Sequence, residues 1–327
     1  MKKVGYSLKK SGGFRCGWAL LAALALLAVL ALAACSSSSS TPAAPADVPI
    51  TPSPTPGAGT SGDPYPGETD PAAINDDNAQ HLLMSLFELS PIVTNVSHML
   101  MPDSAAEAKT VEAGIEMGDE SGQVEVSDVS FDDATAVFEA TATFTDFQAA
   151  VDEPVFVSGS LEVRAGYRTS GAGDWLVSTF NDLVAQDSSG TPSFTLNGEV
   201  LTATVAGGFV VTMNVDVEDN NSGKVYRLEG AEATVVDNAT AGTSTITVAE
   251  GSKYYDYDAG YIYLSTPQPL VISWALDHPI GGQIKAEEEG GGYVLLTATD
   301  DTATPPYHFT VIGYGVTGFT DIHEGSW

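Results

Sequence analysis

The chain has 327 residues, of which 12 are Lys or Arg and 43 are Asp or Glu, so its formal net charge is −31. Lys and Arg contacts to phosphate supply most nucleic-acid affinity, and a chain with so few of them excludes DNA or RNA as a partner. Its two cysteines allow neither a disulfide framework nor a Cys-based zinc site in the folded part, because both precede residue 36.

The first fifteen residues carry Lys2, Lys3, Lys9, Lys10 and Arg15 with no acid, and an apolar run from Trp18 to Ala34 follows. That order predicts a signal peptide over residues 1–34. A spanning helix is the alternative, since the run approaches the ~18 residues such a helix needs. The run ends, however, in small residues against a cysteine and has no charged flank beyond it. Leu32, Ala33, Ala34 and Cys35 resemble the Leu-Ala-(Gly/Ala)-Cys lipobox of bacterial lipoprotein precursors.

The resemblance implies cleavage between Ala34 and Cys35, a diacylglyceryl thioether on the Cys35 sulfur and acylation of the new amino terminus. Ser36 in place of Asp is compatible, in that family, with transfer to the outer membrane of a double-membrane bacterium. The expected location is therefore a lipid-anchored one in the cell envelope, facing the periplasm or the surface. Cleavage removes five of the 12 basic residues and no acid, leaving a net charge of about −36. Such a surface repels anionic headgroups, so membrane contact rests on the acyl chains.

Residues 35–71 are mostly Ser, Thr, Pro, Ala, Gly and Asp, a composition that cannot offset the entropy of ordering and predicts a disordered tether. As a coil it spaces the domain by tens of ångströms, roughly 5–6 Å × √n. A helical segment packing on the β domain is expected over 72–120: Asp76 or Asp77 offers a cap, Leu82, Leu83, Leu86, Phe87 and Leu89 form an apolar stripe, and Pro91 interrupts it before a continuation to Met101.

From 121 to 327 the texture is β. Stretches such as "TAVFEATATFTDF" and "FVVTMNVDVED" alternate apolar and polar residues between turn residues, predicting about a dozen half-buried antiparallel strands. Three segments starting at Phe144, Phe180 and Met213 share a strand, an acidic or Ser/Gly turn and a second strand ending near Gly159, Gly198 and Gly230; a looser fourth copy starts near Leu270. Repeated antiparallel hairpins of this kind predict a mainly β fold, a curved sheet or roll with one N-terminal helix, and a β-sandwich is the alternative.

The chemistry is sparse. His81, His98, His278, His308 and His323 have no metal-binding spacing, and no nucleophile elbow or phosphate loop occurs. Oxygen-rich turns offer Asp216, Glu218 and Asp219, and again Asp256 and Asp258, as calcium candidates, with a solvated turn as the plainer reading. In "YYDYDAGYIY", Tyr255 and Tyr257 are expected on one strand face and Tyr261 and Tyr263 on one face of the next, across an Asp-Ala-Gly turn. Exposed, they form a platform for a sugar or small ligand; buried, they form a cross-strand ladder. The expected function is a non-catalytic structural or interaction module of the envelope. A glycan-binding lipoprotein and an envelope glycoside hydrolase, which needs only two well-spaced carboxylates, are the alternatives.

Overall fold

The computed structural model describes residues 65–79, 81–83, 105–118, 121–148, 155–167, 174–187, 193–205, 207–275, 278–299, 308–316 and 323–326. The expected signal peptide, the Ala34–Cys35 junction, most of the expected tether, and the apolar positions Leu86, Phe87 and Leu89 with the expected continuation to Met101 lie outside them.

Among the described residues the helical turn α1 (Ala105–Ala108) leads into fifteen strands. These are β1 (Gly114–Met117), β2 (Ser121–Asp132), β3 (Val137–Gln148), β4 (Val155–Gly166), β5 (Trp175–Asp187), β6 (Ser193–Val205), β7 (Gly208–Asp219), β8 (Lys224–Asn238), β9 (Thr243–Val248), β10 (Ser252–Asp256), β11 (Gly260–Ser273), β12 (His278–Glu287), β13 (Tyr293–Thr299), β14 (His308–Tyr314) and β15 (His323–Ser326). Strand structure thus starts at Gly114, inside the stretch the sequence pattern assigns to helix. All fifteen strands belong to one sheet in sequential order, every pairing antiparallel. The fold is the repeated-hairpin sheet, not two separate sheets.

Only β9 and β10 depart from a simple meander. Both lie between β8 and β11: β9 pairs with the 233–238 part of β8 and with Leu270–Ser273, and β10 pairs with Arg227–Glu229 and with Gly260–Leu264. Together they are one strand interrupted at residues 249–251. Side-chain hydroxyls stitch the interruption where ladder bonds are lost. Val248 N–H donates to Thr266 Oγ1 at 2.8 Å, Glu232 N–H to Ser252 Oγ at 3.1 Å, and Ser252 Oγ–H to the Ala249 carbonyl at 2.9 Å.

Period-2 alternation sorts the side chains. Phe138, Ala140, Ala142 and Phe144 of β3 and Val294, Leu296 and Ala298 of β13 are buried in one continuous core, while their neighbours on the opposite face, such as Glu139, Thr141 and Thr297, are more exposed. The repeated glycines belong to bulges. Thr145 and Asp146 oppose Ser158, Asn181 and Asp182 oppose Asn197, and Glu229 and Gly230 oppose Asn214. The second residue of each bulge has positive φ: 46° at Asp146, 49° at Asp182 and 57° at Gly230. Its N–H, lost to the ladder, donates to the opposing side chain: to Ser158 Oγ at 3.0 Å, Asn197 Oδ1 at 2.8 Å and Asn214 Oδ1 at 2.7 Å. The third segment therefore carries the same bond with the roles of its two strands exchanged. Bulges bend and twist the strand that bears them, which explains why the pattern recurs along a wide sheet.

The N-terminal residues overturn one expectation and add to another. Residues 65–71 are packed on the sheet, not part of the tether: Glu68 N–H donates to the Tyr257 carbonyl at 2.9 Å, Tyr261 N–H to the Asp70 carbonyl at 3.1 Å, and Ala72 N–H to the Tyr261 carbonyl at 2.8 Å. This strap crosses the end of the β10–β11 hairpin, with Tyr65 on the polar face and Ile74, Leu82 and Leu83 in the core. Residues other than the expected Asp76 and Asp77 also cap the helical turn that follows. Asn75 and Asn78 do so reciprocally, Asn78 N–H donating to Asn75 Oδ1 at 3.2 Å and Asn75 N–H to Asn78 Oδ1 at 2.9 Å. Each side chain thus reaches the backbone N–H of the other, the reciprocal pattern of a capping box.

Candidate functional site

Tyr255 and Tyr261 are direct cross-strand partners, with ring centroids 5.5 Å apart. Tyr263 follows at 5.7 Å from Tyr261, and Tyr65 of the strap closes the cluster at 5.3 Å from Tyr255. Tyr65, Tyr255 and Tyr261 are each under 10% exposed. Two positions of the expected platform, Tyr255 and Tyr261, are therefore a buried ladder, in one cluster with Tyr65. Its hydroxyl donates to the Val225 carbonyl at 2.8 Å, and burial pushes its pKa well above the ordinary phenol range.

Tyr257 does not share the strand face of Tyr255. The turn begins one residue earlier than the Asp-Ala-Gly spacing implies, because Asp256 Oδ1 accepts the N–H groups of Asp258 at 3.0 Å and Ala259 at 2.9 Å. Strand β10 ends at Asp256, and Tyr257 sits in the turn.

Basic residues, so scarce in the chain, gather around this cluster. Arg227, the β8 partner of Tyr255, lies 4.9 Å from the Tyr65 ring centroid and forms a two-point pair with Asp216: Nε–H to Oδ1 at 2.6 Å and Nη2–H to Oδ2 at 2.9 Å. Lys253 Nζ stands 3.7 Å from the Tyr261 centroid and donates to Tyr255 Oη at 2.6 Å. Lys224 pairs with Asp258. On the next strand Lys285 pairs with Glu287 at 2.6 Å.

The calcium candidates are accordingly engaged within the chain. Asp216 holds Arg227; Asp219 organises the β7–β8 turn by accepting from Asn221 N–H at 2.9 Å and Ser222 Oγ–H at 2.7 Å; Asp256 caps its turn and meets His81 Nε2 at 2.9 Å; Asp258 holds Lys224. Glu218 lies on β7 opposite Val225. No three metal-ligating side chains converge among the described residues. His278, His308 and His323 open β12, β14 and β15, and His98 lies outside the described residues.

A hollow of about 290 Å³ lies on the polar face where β9 gives way to β10. Glu250 and Gly251 form one wall, and Tyr263 and Ser265 of β11 with Glu287 and Lys285 of β12 form its floor. Tyr263 faces Glu287 and Ser265 faces Lys285 in register, so the four side chains make a rectangle. Of this set the sequence pattern identifies Tyr263 alone. The alternation that puts Lys285 and Glu287 on one face was readable, but the strand break that opens the space above them was not.

No family model, curated protein or solved structure matches this chain. Among the described residues no helix is long and apolar enough to cross a membrane.

Proposed function

We propose that this protein is a lipid-anchored bacterial envelope protein whose β domain is a non-catalytic structural or interaction module. The observation that carries the reading is Leu32-Ala33-Ala34-Cys35 directly after a basic and then an apolar segment. Acyl chains on Cys35 anchor it, since two or more give stable membrane association at ~0.8 kcal/mol per buried methylene. Residues 36–64 act as the spacer between the lipid and the strap that starts at Tyr65. A strongly acidic surface keeps the domain off anionic headgroups and available to other envelope components. The outer membrane is its proposed location, on the strength of Ser36.

Intact mass spectrometry of the protein extracted from its native membrane tests the reading, with Cys35→Ala alongside. The expected result is a mature chain that begins at Cys35 and is heavier by its acyl groups, while Cys35→Ala stays unprocessed. An unlipidated chain starting elsewhere would overturn it.

A further inference from the structure

We propose that the hollow at the β9–β10 break is a binding site for a neutral saccharide. This names the partner class of the interaction module and so rests on that reading. The break costs the sheet several ladder bonds, which Thr266 and Ser252 hydroxyls replace from buried positions.

What the break opens is chemically mixed. Tyr263 supplies an aromatic ring, half-buried and held edge-on by Tyr261. Glu287 and Glu250 supply acceptors, Lys285 supplies donors, and Ser265 supplies both. A sugar ring matches this set, with a C–H face to lay on the tyrosine and hydroxyls that both donate and accept. The volume of about 290 Å³ sits just below the range of about 300–1,000 Å³ typical of drug-sized ligands, which suits one or two rings.

Charge narrows the choice to neutral sugars. An anion is repelled by the acidic surface, and a cation competes with Lys285 for Glu287. A peptide adding itself as a strand needs an unpaired edge, whereas β11 and β12 are paired to each other along the floor.

Binding of the detergent-extracted, full mature chain to an array of immobilised neutral and acidic oligosaccharides tests the site. Retention of neutral glycans is expected, weakened about tenfold by Tyr263→Ala and also by Glu287→Gln, which keeps the shape. Tyr255→Phe, covered by Tyr65, is expected to bind as the parent does. Retention of no neutral glycan, of acidic glycans only, or of neutral glycans undiminished by both Tyr263→Ala and Glu287→Gln would overturn the proposal. The mass of the same preparation reports the anchor separately, so failure of one reading is not mistaken for failure of the other.

Discussion

Tyr65 packs on Tyr255 with ring centroids 5.3 Å apart, joining the strap to a hairpin 190 residues further along. The contact buries two aromatic rings on the face of the sheet opposite the main core. It also places Tyr65 at the β10–β11 end of the domain. Removing the ring exposes Tyr255 and Tyr261 together and leaves Arg227 without its aromatic partner.

Tyr65→Ala is therefore expected to cost about 3 kcal/mol, the usual range for deleting a buried aromatic. Tyr65→Phe keeps the ring and loses only the bond to the Val225 carbonyl, about 1 kcal/mol. Urea unfolding followed by tryptophan fluorescence separates the two. Equal losses would show that the hydroxyl, and not the ring, holds the strap.

The bulge glycines divide into two kinds. A Cβ at Gly159 or Gly198 would stand 2.2 Å from a backbone carbonyl oxygen of the neighbouring strand, at φ of 111° and 122°. Gly159→Ala and Gly198→Ala are each expected to cost about 3 kcal/mol or more. Gly230 has φ of 57° and open space around it, a conformation that Asn tolerates, so Gly230→Asn is expected to stay within about 1 kcal/mol of the parent. Melting temperatures in one buffer check the contrast.

Arg227 and Asp216 are both largely buried, with side chains 16% and 13% exposed. Arg227→Met strands the Asp216 carboxylate and is expected to be more harmful than Arg227→Met combined with Asp216→Leu. A double-mutant cycle should return a coupling of about 1–3 kcal/mol. Additive losses would mean that the two-point geometry contributes only shape.

Acid should loosen the strap. Burial works against ionisation of Asp256, but the His81 ring and the N–H groups of Ala259 and Asp258 outweigh it and hold the carboxyl below its ordinary value of 3.8. A depressed folded pKa contributes stability that is present above the unfolded pKa and lost as pH falls through the folded one. Stability is thus expected to drop below about pH 4, and Asp256→Asn should be less stable near neutrality with a flatter decline in acid. Unfolding free energies from pH 7 down to pH 2.5 check the sign; a parallel decline in both proteins would remove Asp256 from the account.

Local chemistry carries the proposed class of this protein. The resemblance of Leu32-Ala33-Ala34-Cys35 to a lipobox depends on adjacent residues, and the alternation in stretches such as 137–148 requires a strand with one buried face whatever it pairs with. Even the glycine spacing at 159 and 198 was legible, although its meaning as bulge contacts needed the neighbouring strands. The candidate site was legible only at Tyr263. Tyr65 stood in a low-complexity stretch, and no local signal shows that it would cover Tyr255 and Tyr261. Asp216, Asp256 and Asp258 read as free turn carboxylates until Arg227, His81 and Lys224 arrived from other elements. Period-2 patterning says that a strand has two unlike faces; it cannot say what crosses the polar one, because contacts between residues 160 or more positions apart, such as Tyr65 with Val225, are decided by how the whole sheet places its strands.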